Sequence, residues 1–372
     1  MNILIIKLSA IGDVIHALSV PNFIKQTFPD AKIYWAVEAA AFPLVQACPD
    51  VDEAILVPKK EIRSLTGFIK NVPGLRKKLR EREYDYSLDL QGLLKSALIA
   101  NLAGAKKKLG VAKMREFSNL ISKSVKGEHK DGHIVEQYLD VAKAMGAKGE
   151  VKGFTLKLSE KEQEKAIKTF NEALTNLKTT NAEQQPNPTA GSPEGYALWR
   201  GAGAAPLPGL GGAQEVAALI IGGNWPNKRW SGENWGKVAE ALWEQGLLPV
   251  VFGAGEVDEA TRDEILKNVK VPIADLVGKT SLLEAAHLLK NVKIAVGGDT
   301  GLTHMAAGMG VPVVMLMGPT NKERNGPFLQ EKYAIEVDRD CKGCWKRRCP
   351  KGEDCLGAIE ADAVIKVILW RL

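Results

Sequence analysis

Short apolar runs alternate with helix-like stretches along this chain, and the whole series occurs twice. Residues 2–7, 32–38, 54–58, 86–91 and 108–111 read as strands in the first half. Residues 216–221, 248–253, 271–276, 293–297 and 311–317 read as strands in the second. This rhythm leaves few architectures open. A short apolar strand without polar alternation buries both of its faces, so it belongs to a parallel sheet covered by helices on each side. Strand–helix–strand units in series build that sheet. Two series imply two Rossmann-like, doubly wound α/β domains facing each other across a cleft. Such sheets bind ligands at the carboxyl ends of their strands. The residues just after each strand are therefore the ones to read for chemistry.

A length of 372 residues suits about two domains. The first is expected over 1–178, closed by the polar helix SEKEQEKAIKTFNEALTNL. Residues 179–213 are polar, then rich in Gly, Pro and Ala, and lack periodicity, which reads as a flexible linker or insertion. The second domain is expected over 214–357, followed by a C-terminal helix at 358–372. The longest apolar runs are shorter than the roughly 20 residues of a membrane span. The N-terminal run has no basic leader and Asp13 interrupts it, so the expectation is a chain that starts at Met1 in the cytoplasm.

Three loops carry the candidate chemistry. In KLSAIGDVIHAL at 7–18, a strand ends, small residues turn the chain, and Asp13 opens a helix. A carboxylate there either caps the helix, stabilised by its N-terminus, or serves as a general base for a substrate hydroxyl. In GGNWPNKRWSGENW at 222–235, Asn224, Lys228 and Arg229 lie on a strand-to-helix loop, where cations suit a phosphorylated ligand. Trp230 and Trp235 read as core, and Ser231 as the helix N-cap. In GGDTGLTHMAAGMG at 297–310, paired glycines precede Asp299, Thr300 and Gly301 at a helix start, with His304 one turn on. Free helix amides and close backbone approach make this a cradle for a diphosphate.

Two sequences mimic a dinucleotide fingerprint and fail. FGAGEVDE at 252–259 has Asp258 where the third glycine belongs, although Glu256 or Asp258 is placed to meet a ribose. GAGAAPLPGLGG lacks a flanking strand. Four cysteines, Cys341, Cys344, Cys349 and Cys355, fall in CKGCWKRRCPKGEDC. Reduced thiols, structural zinc and a disulfide pair all remain open, because the spacing lacks the long central loop of two zinc knuckles. The formal charge of +6 is uneven. Residues 59–130 hold 18 Lys and Arg against 7 Asp and Glu, a net of +11 that leaves −5 for the rest. This marks either solvated helix faces or a surface for an anionic partner. Nucleic acid is excluded as that partner, since no recognition motif or aromatic interleaving accompanies the charge.

Together, KLSAIGDVIHAL, DLQGLLKSAL at 89–98, HIVEQ at 133–137, the NKRW loop and GGDTGLTHMAAGMGVPVVMLMGPT at 297–320 resemble glycosyltransferase family 9, the ADP-heptose:lipopolysaccharide heptosyltransferases. The Asp13 loop with WAVE at 35–38 is more similar to heptosyltransferase I than to II. The resemblance implies a GT-B fold and an inverting, metal-independent transfer of heptose from ADP-heptose to the Kdo region of the lipopolysaccharide inner core. The alternative is a heptosyltransferase II-like or other family 9 transferase acting at a later core position. By the same resemblance, Asp13 matches the catalytic base and Lys228 the diphosphate-binding lysine. Asn224, Glu256, Asp299, Thr300, Gly301 and His304 fall on the sugar-donor side. Arg115, Lys59, Lys60 and Arg63 fall near positions that bind the anionic acceptor. No cofactor or metal is implied. The implied partners are an ADP-sugar, Kdo-lipid A and the anionic cytoplasmic face of the inner membrane.

Overall fold

The computed structural model describes residues 1–58, 65–177 and 215–372, and only the backbone of 65–70. The 179–213 segment and the basic residues Lys59, Lys60 and Arg63 lie outside the described residues. The chain forms two compact units, Met1–Lys157 and Leu158–Leu372.

The first unit contains β1 (Asn2–Ile6), β2 (Lys32–Glu38), β3 (Glu53–Val57), β4 (Tyr86–Asp89), β5 (Lys107–Gly110) and β6 (Lys123–Ser124). They form one sheet in the order β3-β2-β1-β4-β5-β6, and every neighbouring pair is parallel. The second unit contains β7 (Val216–Ile220), β8 (Leu248–Phe252), β9 (Ala274–Asp275), β10 (Ile294–Gly298), β11 (Val313–Met317) and β12 (Ala334–Glu336). Their order is β12-β11-β10-β7-β8-β9, again all parallel. Counted from the start of each unit, both sheets run 3-2-1-4-5-6, the Rossmann order. The order reverses between β1 and β4 in one sheet and between β7 and β10 in the other. Beyond the carboxyl ends of those strands lies the ligand crevice of an open α/β sheet.

Double coverage explains the uninterrupted apolar runs. All five residues of β7 are buried. Val216, Ala218 and Ile220 enter the core on one face, while Ala217, Leu219 and Ile221 enter the core on the other. Side chains alternate across a strand, so both parities must be apolar when both faces are covered.

The division between the units departs from the expected boundary at 178. The helix Glu160–Thr175 starts on a capping box, with the Ser159 N–H donating to Glu162 Oε2 at 2.9 Å. Its apolar stripe of Ala166, Phe170, Ala173 and Leu174 packs into the core of the second unit. Lys165 Nζ also lies 2.7 Å from Glu284 Oε1 in that unit. The helix looked like an ending because most of its surface is polar, yet its one apolar face belongs to the second sheet. The C-terminal helix Ala361–Arg371 is likewise no separate segment. Val364 and Ile368 join the core that holds Trp230, Trp235 and Val238. The two tryptophans meet edge to face at 5.1 Å, and Trp230 Nε1 donates to Ile359 O at 3.0 Å. No described helix is long and apolar enough to cross a membrane.

Candidate active site

At the switch point of the second sheet, the loop after β7 and the loop after β10 meet over an ion cluster. Asp299 follows β10 directly and is buried. Its Oδ2 lies 2.6 Å from Lys228 Nζ and accepts a bond from Thr320 Oγ1 at 2.5 Å. Its Oδ1 accepts from His304 Nε2 at 2.6 Å. Burial opposes the ionised carboxylate, but the His304 bond and charge and the Lys228 ammonium outweigh it. They hold Asp299 well below the usual carboxylate range. Lys228 Nζ also donates to Asp299 O at 3.2 Å and lies 4.5 Å over the Trp225 ring. The approach of the two loops requires glycine at 298, since a Cβ there would stand 2.9 Å from Lys228 O. The helix Gly301–Gly308 begins beside this cluster at Thr300, and no side chain caps it. A pinned ammonium and an uncapped helix start form an anion-binding pair.

The first sheet is arranged the same way. Its switch point lies between the loop after β1 and the loop after β4. Asp89 ends β4 and turns the chain, with Oδ1 accepting from the Gln91 and Gly92 amides at 3.0 and 2.9 Å. Burial pushes the Asp89 carboxyl up. Gln91 Oε1 then accepts from the Leu8 and Ser9 amides at 3.2 and 3.3 Å, which clamps the loop that carries Asp13. Asp13 sits in the first turn of the helix Ile11–Ala17, and its Oδ2 accepts from the Ala10 N–H at 3.3 Å. Its side chain remains 43% exposed, so the cap contact leaves carboxylate surface open to a substrate. Beneath it, Lys7 Nζ lies 3.6 Å from Asp13 Oδ2 with its side chain only 4% exposed. Burial opposes the Lys7 charge, but Tyr138 and the Asp13 carboxylate raise its pKa overall. The ammonium also lies 5.2 Å over the Tyr138 ring.

Residues 72–354 match the model of glycosyltransferase family 9 (heptosyltransferase). The chain belongs to glycosyltransferase family 9. It is a glycosyltransferase with the GT-B fold. Lipopolysaccharide heptosyltransferase 1 of Pseudomonas aeruginosa is 27% identical over 363 residues, covering 95% of this chain and 90% of that protein. Lipooligosaccharide heptosyltransferase 2 of Haemophilus influenzae is 27% identical over 347 residues, covering 91% of this chain and 89% of that protein. The solved structure of E. coli heptosyltransferase WaaC with ADP has a TM-score of 0.69 at 24% identity and covers 100% of both chains.

In this family 9 enzyme, Lys228, Asp299 and His304 come together as one buried cluster, with Thr300 and Gly301 at the helix start beside it. Asp299 and His304 are turned inward on each other. Asn224 is exposed on the loop after β7, and Glu256 is exposed in the first turn of the helix Glu256–Asn268 after β8. Asp258, the other carboxylate considered for a ribose, turns inward. Its Oδ2 accepts from the Ala254 N–H at 2.8 Å, and a Cβ at Gly222 would stand 2.5 Å from it. Arg115 is exposed after β5. All five cysteines are free, and no group of metal-ligating side chains is arranged to hold an ion among the described residues. The Cys341–Cys355 stretch instead braces the Lys228 side: Trp345 N–H donates to Pro319 O at 2.7 Å and Asn227 Nδ2 to Lys346 O at 2.6 Å.

Lys7, Asp89 and Gln91 are the contributions that reading by motif missed. Lys7 had a signal, a lone lysine at the end of an apolar strand, but strand ends carry many solvated lysines. We expect Lys7→Met to lower kcat by about 5–30-fold, the worth of about 1–2 kcal/mol of coupling to Asp13. ADP affinity, measured by calorimetry, should not move. An unchanged kcat would show that Lys7 only fills the core.

Proposed function

We propose that this family 9 enzyme moves heptose from ADP-heptose to the Kdo region of the lipopolysaccharide inner core, with inversion and without a metal ion. The observation that carries this reading is the Lys228–Asp299 pair at the uncapped start of Gly301–Gly308. It fixes a cation beside a helix N-terminus, the combination a departing diphosphate needs. The acceptor hydroxyl gives its proton to the Asp13 carboxylate while its oxygen attacks the anomeric carbon. The bond from that carbon to the ADP phosphate breaks, and the leaving oxygen keeps the electron pair. Lys228 and the amides at Thr300–Gly301 take up the charge that develops there. His304 acts through Asp299. Asn224 and Glu256 meet the rest of the nucleotide-sugar. Arg115, together with Lys59, Lys60 and Arg63, meets carboxylates and phosphates of Kdo-lipid A. An acceptor of this kind places the enzyme in the cytoplasm, peripheral on the inner membrane.

The second reading is a heptosyltransferase II-like enzyme, or one adding a sugar at a later core position. The identity to a type 1 and to a type 2 relative is the same, 27%, so sequence similarity weighs equally for the two readings. The test of the chemistry is transfer from ADP-heptose in excess EDTA, with the product anomer assigned by NMR. Full activity and an inverted anomeric centre are expected. Loss of activity restored by Mg²⁺ would overturn metal independence, and a retained configuration would overturn direct displacement.

A further inference from the structure

One loop of the first unit has features that the transfer chemistry does not use. Residues 111–122 connect β5 to β6 and leave the sheet at its carboxyl edge, the edge from which the Asp13 loop also leaves. The base of the loop is braced. The Arg115 N–H donates to Gly92 O at 2.9 Å, and the buried Ser118 Oγ lies 2.6 Å from Arg115 O. The Leu94 N–H donates to Glu116 Oε2 at 3.2 Å. On this base Glu116 and Phe117 adopt left-handed φ values of 56° and 60°, a region that non-glycine residues rarely enter. The turn leaves Phe117 78% and Leu120 80% exposed. Leu94, whose N–H meets Glu116, is exposed as well.

Basic residues surround these apolar tips. Residues 106–130 hold eight Lys and Arg against two Glu. Arg115, Lys123 and Lys126 are exposed and have no carboxylate within salt-bridge distance among the described residues. Lys113 and Lys130 share Asp131, at 2.8 and 3.3 Å.

We propose that the 111–122 loop docks the first unit on an anionic bilayer. Phe117 and Leu120 enter the headgroup–acyl boundary, and Lys123 and Lys126 meet lipid phosphates. The proposal rests on the proposed function in one respect, that the acceptor is membrane-borne. Two apolar side chains cover far less than the roughly 800 Å² per partner of a standard protein interface. Shallow insertion flanked by positive charge is what a bilayer surface requires. The shared edge matters as well, because a lipid-anchored acceptor would then reach Asp13 without leaving the bilayer.

The test is sedimentation of the full chain with phosphatidylethanolamine–phosphatidylglycerol vesicles and with phosphatidylcholine vesicles. The wild type should bind the anionic vesicles and release as salt rises, with ADP affinity far less salt-sensitive. The F117S/L120S variant should lose about 100-fold in partitioning. It should lose transfer to vesicle-borne acceptor but keep transfer to a deacylated, soluble one. Equal sedimentation of variant and wild type would overturn the proposal. Equal loss on the soluble acceptor would make the loop an acceptor site instead, and a lost oligomer by light scattering would make it a self-interface. If F117S/L120S melts early, K123E/K126E should abolish the preference for anionic vesicles with both apolar tips in place, and an unchanged preference would again overturn it. A wild type that binds vesicles yet transfers to neither acceptor would sink the functional reading and leave the docking standing.

Discussion

Asp13→Ala is expected to cut transfer by about 10²–10⁴-fold, the usual contribution of a general base, while ADP affinity stays at the wild-type level. The separation follows from placement. Asp13 belongs to the first unit and the Lys228 cluster to the second. The variant must be read beside Asp13→Asn, because the carboxylate also accepts the Ala10 N–H in the first turn of its helix. Asparagine keeps an oxygen for that contact but can no longer take up a proton, and it also removes the charge that faces Lys7. If capping were the whole role, Asp13→Ala would cost a fraction of a kcal/mol to about 1 kcal/mol of stability and Asp13→Asn would transfer normally. If Asp13 is the base, both variants fail in turnover and both keep ADP. Near-normal turnover in Asp13→Asn would end the assignment.

The other large effect is expected at Lys228. Lys228→Ala removes the ammonium proposed to meet the diphosphate, a charge-assisted contact of about 1.5–3 kcal/mol, so ADP should bind about 10–150-fold more weakly. It should also destabilise the second unit by about 3–5 kcal/mol, because Asp299 stays buried with one of its partners gone. Calorimetry with ADP and urea unfolding separate the two effects. Asp299 adds a pH signature. Its folded pKa is depressed, so the stability it contributes is present above the ordinary carboxylate pKa of about 4. That contribution is lost as pH falls through the folded value. Asp299→Asn should therefore flatten the acid side of the stability profile. Unchanged ADP affinity in Lys228→Ala would count against the diphosphate cradle.

The strands that form both sheet centres were legible because double burial leaves only apolar residues, as in β7 and β8. The edge strands β6 (Lys123–Ser124) and β12 (Ala334–Glu336) left no such trace. An edge strand is short and only partly covered, so polar residues are tolerated in it. The unit boundary was misplaced because a polar helix does not reveal which sheet receives its one apolar stripe. Asp13, Lys228, Asp299 and His304 are singled out in the sequence by their place after strands. Their arrangement is not: nothing in the spacing says that Asp299 turns inward to hold Lys228, His304 and Thr320 together. Gln91 was hidden for a related reason, since it acts on the Asp13 loop through bonds to the Leu8 and Ser9 amides, residues distant from it in sequence. Lys59, Lys60 and Arg63 stay outside the described residues.

The measurement that tests the central claim most directly is a paired transfer assay. ADP-heptose is offered with Kdo-lipid A in one reaction and heptosyl-Kdo-lipid A in the other, and the products are read by mass spectrometry. Kdo-lipid A should gain one heptose, and Asp13→Asn should abolish the gain. Transfer only to heptosyl-Kdo-lipid A would move the enzyme to the type II reaction, and transfer to neither acceptor would contradict the proposed function.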